Sequence, residues 1–148
     1  MRGRATMAAA LAAAFLSLGV AAGGPHVLSA RGTHGWIRYS GEGKVTLSGR
    51  GTLVVKNESN LQITLDGTWG HKEKVADGAI YTQFKGTLHS IGPGAHLEIR
   101  GWDLALDVKG RGKAWFQGHG TVVLDGAPAQ AWPEDQTHNG WLKLKFRN

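Results

Sequence analysis

Six tryptophans in a chain of 148 residues are the strongest chemical signal: Trp36, Trp69, Trp102, Trp115, Trp132 and Trp141. Trp69 lies in Gly-Thr-Trp-Gly and Trp102 in Gly-Trp-Asp, both turn-like contexts. Trp115 has the parity of Lys113 and Gln117, opposite to Ala114 and Phe116. These three indoles are expected to reach solvent at least in part, where indoles stack on sugar rings or bases and anchor binding surfaces. The competing role is bulk covering the ends of a short core. Arg50, Arg111 and Lys113 lie near glycine-rich corners, and Lys143, Lys145 and Arg147 line one face of the last strand. On an edge strand such lysines guard against sheet-to-sheet aggregation. A cationic rim would also hold anionic glycans or lipopolysaccharide, with binding that falls as salt rises.

Seven histidines are present: His26, His34, His71, His89, His96, His119 and His138. None stands in H-x-H, H-x-x-x-H or H-E-x-x-H spacing, so no metal motif is legible. His89 aligns with Thr46 and Trp115 in a repeat described below, and His119 is the middle residue of a Gly-x-Gly corner. Both are expected to be solvated and are kept as ligand-binding candidates beside the tryptophans and bases. Asp66 and Asp125 each precede a glycine in Leu-Asp-Gly, where a carboxylate bonds nearby backbone N–H groups. Asp103 and Asp107 are the other carboxylates in the repeat, and nothing in the sequence makes them face each other as a glycosidase pair must. No catalytic residue, metal ligand or cofactor is assigned.

The absence of cysteine excludes thiol catalysis, iron–sulfur clusters and disulfide stapling. There is no G-x-S-x-G, no P-loop and no dinucleotide fingerprint. Residues 1–22 pair Arg2 and Arg4 with a short apolar run ending in Val20-Ala21-Ala22, the pattern of a secretory signal peptide cut after Ala22. That run is too short for a membrane span, and no second apolar segment follows. The remaining segment, 23–148, is expected to be one domain without a transmembrane span, exported to the periplasm, the cell surface or the medium. Of the 17 Lys+Arg, Arg2 and Arg4 leave with the leader; 15 remain against 11 Asp+Glu, a net of +4. That mild excess does not indicate specific nucleic-acid binding.

Period-2 alternation recurs throughout. Ala95, Leu97 and Ile99, then Leu104, Leu106 and Val108, then Leu142, Leu144 and Phe146 each alternate with polar residues. Each run reads as a half-buried strand. Leu61, Ile63 and Leu65 repeat the pattern. The frame G-x5-G-x-G occurs three times, as Gly43-KVTLS-Gly49-Arg-Gly51, Gly86-TLHSI-Gly92-Pro-Gly94 and Gly112-KAWFQ-Gly118-His-Gly120. A fixed frame of this kind signals repeated supersecondary units. Two architectures satisfy it. A short glycine-cornered β-solenoid of about three irregular repeats stacks equivalent residues between coils. An antiparallel β-sandwich or barrel uses each Gly-x-Gly as a tight hairpin loop. The conserved offsets favour the solenoid, and the sandwich is the alternative.

The stretches SGEGKVTLSGRG and KGRGKAWFQGHG resemble the Gly-rich β-helical head domains of bacterial surface adhesins, over roughly residues 35–126. The resemblance implies a β-helical fold and an envelope or surface role, and it carries no functional residues. The expected function is a non-catalytic binding or structural module of the cell envelope that contacts carbohydrate or another surface polymer. Two alternatives stand beside it. One is a small glycan-active enzyme using Asp103, Asp107 or Asp125 with a histidine. The other is a self-assembling surface scaffold, since uncapped coil ends can stack.

Overall fold

The computed structural model describes residues 24–134 and 140–147. The expected leader, residues 1–22, lies outside the described residues. The fold is all-β. Its strands are β1 (His26–Lys56), β2 (Gln62–Thr68), β3 (His71–Val75), β4 (Gly78–Leu124), β5 (Gln130–Ala131) and β6 (Leu142–Phe146), with one 3-10 turn over Glu58–Asn60. β1 and β4 run for 31 and 47 residues, several times the usual length of about 5–6. They manage this by bending.

Every ladder among the described residues is antiparallel. Val75 pairs with Gly78 across a tight turn, and the same hairpin continues outward from there. β2 pairs with 85–91, residues 50–56 with 96–102, 43–48 with 105–110, 34–43 with 110–119, and 28–32 with 120–124. A second register joins the same strands again: 43–51 with 84–92, and 26–41 with 95–110. Ile37 therefore lies between Ile99 and Phe116, and Leu47 between Leu88 and Leu106. The molecule is one long hairpin wound upon itself, each arm lying between turns of the other. Stacked solenoid coils would pair parallel, so the expected parallel solenoid gives way to antiparallel pairing, with which the sandwich alternative is compatible.

The strand segments of this one continuous sheet fall into two sets, or layers. The first runs 120–124, 26–32, 104–110, 43–48, 86–92, 62–68; the second runs 142–146, 112–118, 34–41, 95–101, 50–56, 78–84, 71–75. The inward residues are those the alternation marks, among them Leu97, Ile99, Leu104, Leu106, Val108 and Phe146. They form one hydrophobic cluster with Leu47, Leu53, Leu88 and Phe116, while Leu61, Ile63 and Leu65 pack half-buried against it. At one of the bends between the layers the inward parity changes. It passes from Leu28 and Ala30 to Ile37 and Tyr39, and from Ile99 to Leu104. The ladder skips Thr33 and Asp103 together at this point, and Asp103 sits at φ 55. One extra residue on each strand reverses which side of the strand is inward there, whereas the Gly49–Gly51 bend keeps the parity of Leu47 and Leu53.

The Gly-x-Gly frame marks these bends. In its first and third copies it is neither a hairpin loop nor a coil corner, because the ladder continues through it: Gly41 pairs with Gly112 and Gly51 with Gly101, while in the second the ladder passes from Gly92 to Ala95. A Cβ on Gly51 would lie 2.0 Å from the Arg100 carbonyl oxygen, and one on Gly101 would lie 1.9 Å from that of Arg50. The folded strands approach too closely there for any side chain. The five residues between glycines are the width of one layer: 43–49 and 86–92 cross the first layer side by side, and 112–118 crosses the second. Trp132 is buried against Gly32 and Gly120 and stacks on Phe116 at 5.3 Å, closing one end of the core.

Candidate functional site

The outward positions of the second layer bring together side chains that are far apart in the chain. Arg38 pairs across the sheet with Trp115 on one side and Glu98 on the other; Trp115 pairs in turn with Lys143. In the next row, Ser40 pairs with Lys113 and His96, Lys113 with Lys145, and His96 with Lys56. Neighbouring strands lie about 4.8 Å apart, so these are contacting rows.

One line of side chains alternates cation and ring. The Arg100 guanidinium lies 4.7 Å over Trp36, and Trp36 meets Trp141 at 4.9 Å and 60°. Arg38 lies 5.8 Å from the Trp141 ring and 5.5 Å from that of Trp115, which Lys143 approaches at 5.6 Å. Each such contact contributes about 0.5–1 kcal/mol at an exposed site. Glu98 locks the line: the Trp36 indole N–H donates to its Oε2 at 2.6 Å, and Arg38 lies 3.7 Å from its Oε1. At Trp115, cations occupy the ring that the sequence offered to sugars. The rings support the guanidinium groups of Arg38 and Arg100, and a guanidinium can grip a carboxylate or phosphate in two places.

Beside this line is an open basin of about 670 Å³. Its floor is low because Ser40, Gly41, Gly94 and Gly112 stand in its lining, and Lys56, His96, Arg111, Lys113 and Arg147 surround it. Tyr39 lies beneath; its hydroxyl donates to the carbonyl oxygen of Arg111 at 3.1 Å. Burial, with the Glu42 carboxylate adding to it, pushes the Tyr39 phenol well above its ordinary range, so it stays a donor. The Lys113 ammonium is held below its ordinary pKa, first by Arg147, then by Lys143, desolvation and Lys145. Over this face, among the described residues, Arg38, Lys56, Arg100, Arg111, Lys113, Lys143, Lys145 and Arg147 stand against Glu42, Glu73 and Glu98. Glu42 lies 3.8 Å from Arg111.

Of the residues singled out in the sequence, Arg111, Lys113 and Trp115 share this face. The others are elsewhere. Trp102 is 57% exposed, at the bend on the far side, opposite Arg50 and His34. Arg50 is tied to Asp103 at 2.8 Å. Trp69, 40% exposed, sits edge-on to Tyr81 at 5.1 Å beyond the end of β2. His119 stacks on His34 at 5.9 Å and contacts Glu134 at 2.8 Å. His89 is on the outer side of the first layer, 3.4 Å from Thr46. The carboxylates are dispersed as well. Asp107 pairs with Arg31 at 3.0 Å; Asp125 contacts His26 at 2.5 Å and accepts the Val27 N–H at 2.8 Å. Asp125 thus bonds a distant strand where a local turn was expected, and Asp66 is exposed on β2.

Sequence reasoning missed Trp36, Arg38, His96, Glu98, Arg100 and Trp141 as members of a site. The one available signal was parity: Trp36, Arg38 and Ser40 alternate with the apolar Ile37 and Tyr39. Among the described residues, no group of three or more His, Asp or Glu is placed to hold a metal ion. No helix among them is long and apolar enough to cross a membrane. No family model matches the chain, nor does any curated protein or solved structure.

Proposed function

We propose that this protein is an exported, non-catalytic binding module of the cell envelope, and that its ligand is an acidic polysaccharide or a similar anionic surface polymer. The observation that carries this reading is the alternation of cations and indoles across the outer face of the second layer. A flat array with cations far in excess of its carboxylates suits a repeating anion better than a single small molecule. The leader-like residues 1–22 support export. Two features favour binding over the rival readings. Asp103, Asp107 and Asp125 are each engaged by a different basic residue. They are therefore placed as structural ties. The edges at β3 and β6 carry Lys72, Lys74, Lys143 and Lys145, which oppose pairing between copies and so disfavour a scaffold.

The test is co-sedimentation of the purified protein with an acidic polysaccharide, peptidoglycan, cellulose and chitin over a salt series, with duplex DNA as a competitor. Binding is expected to the acidic polymer, to fall as salt rises, and to be lost when Arg38, Lys113 and Lys143 are replaced together by alanine. Equal binding to the neutral polymers, preference for DNA, or indifference to that triple change would overturn the reading.

A further inference from the structure

The basin differs from the rest of the cationic face in shape and in charge density. Arg38 and Arg100 lie over indoles; around the basin stand Lys56, Arg111, Lys113 and Arg147, with Glu42 and Glu98 also in its lining, and Ser40, Gly41, Gly94 and Gly112 leave room between them. Resting on the proposal of a polyanion ligand, we infer that this basin is a subsite for a phosphate monoester, borne on a sugar unit or on a lipid headgroup. A carboxylate brings one charge and two acceptor oxygens. A phosphate monoester brings about −1.5 to −2 and three acceptors at neutral pH. The basin offers both kinds of donor that phosphate uses, an arginine fork and lysine point charges. Ser40 adds a hydroxyl. The volume of about 670 Å³ exceeds what a bare phosphate fills and admits the attached ring.

Two further observations agree. Glu42, 3.8 Å from Arg111, stands where a ligand anion would compete for the same guanidinium. Lys113 faces Arg147, Lys143 and Lys145 from the β6 side, Arg111 along its own strand, and Ser40, His96 and Lys56 across the sheet. An arriving dianion relieves this crowding and restores the proton affinity of Lys113, so binding takes up protons at alkaline pH.

The experiment is calorimetry of the purified protein at constant ionic strength with glucose 6-phosphate, glucuronate and sulfate. A second arm uses phosphatidylcholine vesicles with and without phosphatidic acid. Glucose 6-phosphate is expected to bind about tenfold more tightly than glucuronate, with Lys113→Met and Arg111→Met each removing that preference. Glu42→Gln should tighten phosphate binding a few-fold, and Lys44→Met, on the first-layer face, should leave it unchanged. The vesicle arm decides between the two sources: retention only with phosphatidic acid places the phosphate on a lipid, and retention by neither vesicle places it on a sugar. Equal affinity for glucose 6-phosphate and glucuronate, or full phosphate binding by Lys113→Met, would overturn the inference. If the acidic polysaccharide still sediments the protein in that case, the face remains a polyanion site and only the basin is wrong. If glucose 6-phosphate binds but no polymer does, the basin stands and the polymer reading falls.

Discussion

The two outer faces share one core and one hairpin, yet their surfaces differ sharply. The first-layer face is paved with short polar residues, among them Ser29, Thr46, Ser48, Thr64, Thr87 and Thr121. Its Arg31 is matched by Asp107 through two hydrogen bonds, at 3.2 and 3.0 Å. The second-layer face carries long cations and indoles, offset among the described residues by Glu42, Glu73 and Glu98. A strand's inward side is constrained by packing wherever it lies. Its outward side is free, so concentrating like charges on one layer costs stability through repulsion and is intelligible as preparation for a partner. Charge-matching on one face and crowding on the other distinguish the proposed binding surface better than composition does.

The comparison depends on the bends that hold the layers together, and breaking one should have the largest effect. Gly101→Ala sets a Cβ against the Arg50 carbonyl oxygen and should destabilise the fold by about 3 kcal/mol or more, read from the urea midpoint. Next comes a direct contrast between faces. Replacing Arg38, Lys113 and Lys143 with alanine should weaken acidic-polymer binding by about thirtyfold, or about 2 kcal/mol. The mirror change at Arg31, Lys44 and Lys109 should alter it less than about twofold if the faces differ as argued. Removing a support should have a smaller effect than removing the cations. Trp36→Leu deletes the Arg100 stack and the Glu98 hydrogen bond. It should cost about 1 kcal/mol of stability and loosen polymer binding a few-fold.

The smallest effect concerns pH. In the folded chain Lys113 loses its proton more readily than at its ordinary value of 10.5, because Arg147 and Lys143 repel it. A lysine whose folded pKa is lowered burdens the folded state while it is protonated. The burden therefore fades as pH rises from the lowered value toward the ordinary one. Urea midpoints taken across that window should rise slightly in the parent relative to Lys113→Met, and added salt should shrink the difference. An opposite trend would show that the crowding is already relieved.

Some of this was legible in the chain. Alternation is local, so the inward sides of 95–99, 104–108 and 142–146 were readable, and the solvent access of Trp69 and Trp102 followed from their turn-like neighbours. Which strands lie side by side is not local. Lys143 and Lys145 were recognisable as one face, but nothing nearby in sequence says that the face continues through Trp115 and Lys113 to Arg38. The glycines misled for a related reason. A bend that keeps its ladder, a hairpin loop and a solenoid corner all require glycine, and only the partner strand, as Gly112 is to Gly41, distinguishes them. Trp36 and Arg38 were overlooked because 36–40 reads as a short isolated strand until its two neighbours are known.

The winding also dictates a timetable for folding. The tip, where Val75 meets Gly78, can close within microseconds. The base cannot, because His26 and Leu28 wait for Gly110 and Leu124. Nearly all pairing joins β1 to β4, so the loop-closure entropy is lost before most contacts form, and refolding should fall in the millisecond-to-second range of high-contact-order β proteins. A chain emerging from the ribosome has its first arm exposed without partners until the second has been made. The open, alternating strands of β1 are then the segment most in need of a chaperone.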